Sequence, residues 1–415
     1  MERSTATKTW LLLKEKEFLR FILTRFAVIV SLFIQSTSLG YLMYSITKDP
    51  LTLGLIGLAE LIPAFGFAFF AGYMVDRREK RTMYLLCIIL YILNTLLILV
   101  ITSTFFKANA DAHWLEWSIY LVMFFSGCIR AFLAPSSFSL MPLLIDKERI
   151  PQAVTWSSTA WMLGSVLGPL AGGLIMAWQS VHVAIWASLV GLMFSFVFIL
   201  GIRKKSIVVS KDIGLLKGLA QGFRFVFKSE IILAVLCLDL FAVLFGGAES
   251  LLPVFSKDIL QIGELGFGWL RSAHGIGSML LLLVLSYVPL RSNVGHKLFA
   301  SVAGFGLCIL LFGISTNVYL SFFLLMIAGM LDGVSVVIRH SILQLKTPEE
   351  LKGRVSSINM MFISSSNELG AFESGLAARL LGTVPSVVFG GLMTILVVVA
   401  TFFAAPNLRR IKLDR

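Results

Sequence analysis

The chain has 415 residues, 57% of them apolar and only 14% charged, with a formal net charge of +12. A soluble protein carries about 25% charged residues, so the composition excludes a soluble globular enzyme and places the chain in a bilayer. The positive balance does not imply nucleic acid, because the basic residues gather in alternate loops between apolar runs.

Those runs predict twelve membrane helices, at roughly 19–45, 51–72, 82–104, 116–143, 152–178, 181–201, 231–255, 266–290, 298–315, 318–345, 354–380 and 384–404. Each is long enough for a hydrocarbon layer of about 30 Å. The expected fold is an all-α membrane protein: an N-terminal six-helix bundle at 1–201, a linker at 202–230 and a C-terminal six-helix bundle at 231–415. Roughly 26 Lys and Arg lie on the side of the N-terminus, the even-to-odd loops and the C-tail, against about 3 on the other. Both termini are therefore expected in the cytoplasm. The opening MERSTATKTWLLLKEKEFLR has charge on both sides of its one short apolar run, and reads as a lead-in instead of a cleavable signal.

Span two carries Glu60 at membrane depth. Between spans two and three lies GYMVDRREKR, residues 72–81. Gly72, four residues before Asp76, would let a neighbouring helix approach, and the Asp76 carboxylate can meet a helix dipole or a basic residue. Arg77, Lys80 and Arg81 suit the anionic inner surface. Together the five read as a charged conformational latch. Plain loop charge would account for the arginines, but not for Gly72 with Asp76. Here the chain resembles the major facilitator superfamily, whose loop signature runs G-x-x-x-D-R-x-G-R-K/R. Glu79 stands in place of the second glycine, as is familiar in the branch that holds the bacterial enterobactin exporter and macrolide efflux proteins.

Span four contains SGCIRAFLAPSS, with Arg130 after Gly127. This departs from the family's proton-antiporter signature, an arginine before a Q-G pair, and leaves Arg130 as a charge partner that can neutralise Glu60. Span five holds GSVLGPLAGG, residues 164–173. Ala160, Gly164, Gly168 and Gly172 form a small-residue stripe that permits close helix packing, and Pro169 removes a backbone hydrogen bond. A tight contact would explain the stripe alone. With Pro169 inside it and Gly173 closing it, the string resembles the superfamily's antiporter signature G-x-x-x-G-P-x-x-G-G. In that family the signature marks exporters, whose kinked helix seals against cytoplasmic leakage.

In the linker, Leu215, Leu216, Leu219, Phe223 and Phe227 share one helical face, with Lys217, Gln221, Arg224 and Lys228 elsewhere. This predicts a basic amphipathic helix on the inner membrane surface, although a simple connecting helix fits equally. GLAQGFRFV (218–226) and LQLKTPEELKGRVSSIN (343–359) both resemble the siderophore-exporter branch.

The second half carries Asp239 and Glu249 in span seven, Arg271 and His274 in span eight, and Asp332 and Arg339 in span ten. Asp332 and Arg339 share a face and are expected to pair or to share water. In span eleven, NELGAFESG (367–375) holds two acids. Glu368 falls ~21 Å along the helix, and Glu373 lies ~140° further round, so they are no carboxylate dyad. Glu368 is the expected coupling acid, and Glu373 is expected to pair with a neighbouring helix. At an offset of about 202 residues span five aligns with span eleven, with Gly168, Gly173 and Leu174 matching Gly370, Gly375 and Leu376, as in a fold of repeated halves. Cys87, Cys128, Cys237 and Cys308 lie in predicted spans without a C-x-x-C, and read as reduced, packed thiols. No cofactor or metal is expected.

The resemblance implies a proton-coupled exporter of amphipathic small molecules (drug, macrolide or siderophore) working as a monomer in a bacterial inner membrane. Its coupling candidates are Glu368, Asp332, Asp239, Glu60, Glu373 and His274, with Arg130, Arg339 and Arg271 as charge partners. Uptake by symport and a non-transporting receptor or scaffold stay open as alternatives. No HExxH, GxSxG or phosphate-cradling loop points to an enzyme.

Overall fold

In the computed structural model, described over residues 12–109, 111–205, 215–287, 293–348 and 351–411, the secondary structure is helical throughout. The long helices are α1 Lys16–Thr47, α2 Pro50–Arg77, α3 Lys80–Thr102, α4 Ala112–Leu140, α5 Ile150–Trp178 and α6 Val181–Leu200 in the first half. A linker helix, α7 Leu215–Lys228, follows. The second half has α8 Glu230–Phe245, α9 Gly263–Tyr287, α10 Val294–Ile314, α11 Val318–Lys346, α12 Lys352–Leu381 and α13 Thr383–Ala404. Among the described residues, ten helical segments are long and apolar enough to cross a membrane unaided. Helices α1 and α12 complete twelve spans. The first is diluted by Lys16, Glu17, Arg20 and Arg25, the second by the Ser-Ser-Ser-Asn-Glu run at 364–368.

Helix boundaries follow local chemistry. Ser180 caps α6 by accepting from the Val183 amide, and Asn317 caps α11 by accepting from Leu320. Helix α12 turns into α13 through Gly382 at φ 94°, a left-handed backbone that suits glycine.

Span seven corrects the sequence reading, which predicts an unbroken helix over 231–255. Helix α8 stops at Phe245, and the chain continues through a 3-10 turn at Ala248–Leu251 and a π-helical turn at Phe255–Ile259. Gly246 and Gly247 weaken the helix at this point. Pro253 then lacks the N–H that would reach the Glu249 carbonyl four residues back. A Cβ on Gly246 would overlap the Phe305 ring, and one on Gly247 would lie 3.2 Å from the Gly370 carbonyl carbon. The break is therefore also a place of close helix approach.

Contacts divide the chain into two compact units, residues 1–46 with 59–211 and residues 47–58 with 212–415. The N-terminal unit is built around fully buried Phe18, Phe21, Tyr84 and Tyr91. Within it the buried Gln35 amide donates to Thr95 Oγ1 (2.6 Å) and Ser188 Oγ (2.7 Å), tying α1 to α3 and α6. The C-terminal unit has one core around Leu298, Phe299, Ile338 and Ile342, and a second that joins Val226 to Val355 and Ile358. The linker helix is thus docked on the start of α12: Phe223 and Val226 turn inward and Arg354 donates to Gln221, while Phe227 stays exposed. The amphipathic reading of Leu215, Leu216, Lys217 and Leu219 lies outside the described side chains.

Candidate transport and coupling site

The loop between α2 and α3 is held by its own unit. Glu79 caps α3, accepting from the Arg81 amide (3.1 Å), the Thr82 amide (2.7 Å) and the Lys205 amide (3.0 Å). Burial pushes this carboxyl up, but the hydrogen bonds from Lys205, Thr82 and Arg81 outweigh it and leave the group below its usual range. The Arg81 guanidinium donates to the Ile199 and Leu200 carbonyls, both at 3.3 Å, so it caps the end of α6. Arg77 lies 4.2 Å from the Tyr73 ring centroid, and Lys80 donates to the Val75 carbonyl. A Cβ on Gly72 would meet nothing within 4 Å. The close helix approach expected at Gly72 is therefore not made, and the Asp76 side chain lies outside the described ones.

The α5 stripe does make close contacts. A Cβ on Gly164 would sit 2.5 Å from Ile29 Cγ2, and one on Gly168 would overlap Phe33 and lie 3.0 Å from the Val30 carbonyl oxygen. Gly172 faces Ile34, and Pro169 and Gly173 are buried in a helix that runs unbroken from Ile150 to Trp178. The C-terminal unit repeats the arrangement: a Cβ on Gly370 of α12 would lie 2.9 Å from the Val243 carbonyl oxygen of α8. Spans five on one and eleven on seven pack alike, at the glycines that the repeat aligns.

Arg130 donates to Glu60 at 3.1 Å where α4 crosses α2. Gly127 permits that crossing, since a Cβ there would overlap the Glu60 carbonyl. In the C-terminal unit Arg339 pairs with Asp239 of α8, and not with Asp332 as its own helix face predicts. Asp332 Oδ2 lies 3.4 Å from His274 Nε2, and Glu249 Oε1 lies 3.3 Å from His274 Nδ1. The imidazole is thus bracketed by two carboxylates. Two glycines allow this: a Cβ on Gly329 would overlap the His274 carbonyl, and one on Gly277 the Met326 carbonyl. Ser278 adds a hydrogen bond to the Gly329 carbonyl at 2.9 Å. Arg271 feels the charges of Glu249 and Glu368. A Cβ on Gly57 would lie 3.1 Å from Glu368 Oε2, so the start of α2 flanks that acid. Among the described residues Glu373 forms no ion pair, contrary to the partner expected on a neighbouring helix, and it bonds to Ser374. Glu249 is the participant that the sequence reading leaves outside its coupling set. The signal lies in the Gly-Gly pair and Pro253, which break the helix and free its next turn to face α9. All four cysteines are free.

A family model described as Major Facilitator Superfamily matches residues 21–371. The chain belongs to the Major Facilitator Superfamily. This superfamily member is 25% identical over 402 residues to the enterobactin exporter EntS of Shigella boydii serotype 18, across 94% of this chain and 92% of that one. The enterobactin exporter EntS of Escherichia coli O81 gives the same identity and coverage. Among solved structures, a POT family transporter with a bound thioalcohol-conjugated peptide superposes with TM-score 0.74 at 14% identity, over 94% of this chain and 96% of that one. A nucleoside transporter gives 0.71 at 14%, over 93% and 99%. At such identity the likeness carries the fold, twelve membrane helices in two pseudo-symmetric six-helix bundles. The chain is an integral, multi-pass membrane transporter of small molecules and not an enzyme.

Proposed function

We propose that this superfamily member is a proton-coupled antiporter that exports amphipathic small molecules of the drug, macrolide or siderophore class by alternating access. The observation that carries the reading is the α5 stripe. Gly164, Gly168 and Gly172 seat α5 against α1 with Pro169 buried among them, in the string that resembles the exporter signature. The exporter relatives agree in direction. Proton coupling is supported by Glu60, Asp239, Asp332, Glu368 and Glu373, acids in membrane helices that can exchange protons when screened from bulk water. The 12% aromatic content supplies stacking surface for an amphipathic cargo. The excess of basic residues in the even-to-odd loops supports cytoplasmic termini.

Inverted membrane vesicles test the reading, with enterobactin and a macrolide as probes and an imposed proton gradient as the drive. The expected result is proton-dependent accumulation inside the vesicles, lost in Gly168→Leu although the protein stays in the membrane. Accumulation with the opposite dependence on the gradient would make the carrier a symporter. Asp76→Asn should stall the cycle, and unchanged turnover would reduce the loop motif to a topology signal.

A further inference from the structure

In the C-terminal unit, ionisable side chains follow one another from the broken end of α8 back along that helix. Glu249, on the 3-10 turn, meets His274 Nδ1, and His274 Nε2 meets Asp332. Beyond Asp332 is a void lined by Asp239, Ser335, Asp332 and four apolar residues, with room for about one water. On its far side Asp239 pairs with Arg339, about 10 Å further along α11 than Asp332. Side-chain exposure drops in two steps along this series: 55% at Glu249, 24% and 28% at His274 and Asp332, then 7% and 3% at Asp239 and Arg339. One end is exposed and the other is sealed.

We propose that Glu249, His274, Asp332 and Asp239 form a proton relay running lengthwise through the C-terminal unit, with Arg339 as the fixed counter-charge at its closed end. The inference rests on the antiport reading and gives it a route. A histidine between two acids can take a proton on one nitrogen and give one from the other. Glu249 passes its proton to Nδ1 and becomes a carboxylate. Nε2 gives its own proton to Asp332, which becomes a neutral acid, and the ring is left neutral with the hydrogen on the other nitrogen. Asp332 then hands the proton through one water to Asp239, and rotation of the ring turns its N–H toward Asp332 and its bare nitrogen toward Glu249, ready for the next proton. The charged groups facing His274 are Glu249 from the turn after α8 and Asp332 from α11; Arg271, three residues earlier on α9, lies in the field of Glu249 and of Glu368 from α12. Val302 and Phe305 of α10 supply the apolar wall of the void. Because the Asp239 end is sealed, protons do not run through freely, and release there waits on a change in the carrier.

The test compares two modes in proteoliposomes that hold the full chain, with enterobactin as the probe. His274→Gln and Asp332→Asn should each lower gradient-driven transport by at least about tenfold, while counterflow exchange without a gradient stays within about twofold of wild type. Gradient-driven transport preserved in both variants would overturn the relay and leave the antiporter standing. Transport by wild type that ignores the gradient would instead sink the antiport reading itself. A readout free of substrate is the infrared carboxyl band of the full chain in lipid nanodiscs, titrated with pH. His274→Gln should move that titration, and an unmoved titration overturns the relay whatever enterobactin does.

Discussion

His274 is placed by glycines as much as by its acids. Gly329→Ala would drive a methyl into the His274 carbonyl, in a contact between backbones that no rotamer can relieve. Overpacking of this kind costs about 1–3 kcal/mol, so the thermal unfolding midpoint in detergent should fall, and an unchanged midpoint would count against so close an approach. The two arginine pairs differ in the same currency. Asp239 and Arg339 are 7% and 3% exposed, whereas Glu60 and Arg130 are 17% and 42% exposed. Leaving one charge of a buried pair alone costs about 3–5 kcal/mol, and the cost falls as a pair becomes more exposed, toward the about 0–1 kcal/mol of a surface pair. Asp239→Asn should therefore destabilise more than Glu60→Gln, and the reverse order of unfolding midpoints would refute the comparison. Glu79 carries a pH dependence. Its carboxyl is held below the ordinary 4.5 in the folded chain, so its contribution is present above that pH and is lost as pH falls below it. Wild type should exceed Glu79→Gln in midpoint at neutral pH, and the two should converge in acid.

At the scale of elements, the discontinuity in span seven governs the coupling geometry. Gly247→Ala would place a methyl 3.2 Å from the Gly370 carbonyl carbon and 3.4 Å from Ser374 Oγ, pressing α12 away and shifting the turn that carries Glu249. Gradient-driven transport should suffer more than counterflow, and equal losses in both would show a merely structural break. Sequence made most helix limits legible, because the length of an apolar run, a cap such as Asn317 and a glycine such as Gly382 are local properties. It hid the break, because glycine and proline are common in unbroken membrane helices. It also hid the charge pairing. Asp332 and Arg339 do share a face of α11, but at different heights that face meets α9 and α8, so one joins His274 and the other Asp239. The latch shows the converse: Glu79, the departure from the family pattern, proves to be the cap that ties Lys205 to the start of α3.

For the whole molecule, the duplicated halves have kept one packing joint and divided the chemistry. Glycines of α5 and α12 meet α1 and α8 at aligned positions. Only the second unit gathers Glu249, His274, Asp332, Asp239, Arg271, Arg339 and Glu368 within itself. The loop charges further imply that a C-terminal reporter that works only in the cytoplasm should be active, and a silent one would invert the topology. The first unit's buried Gln35 amide has a mechanical meaning. Gln35 is bonded at once to Thr95 and Ser188, and Ser188 in turn donates to the Ser31 carbonyl, all where no solvent can stand in for a lost partner. Helices α1, α3 and α6 can then travel only as a single spar. Bending in that half is left chiefly to α2 and α5, because Asn94 of α3 also donates to the Val122 carbonyl of α4 at 3.2 Å; α2 and α5 each carry a proline at mid-length or beyond, Pro63 and Pro169.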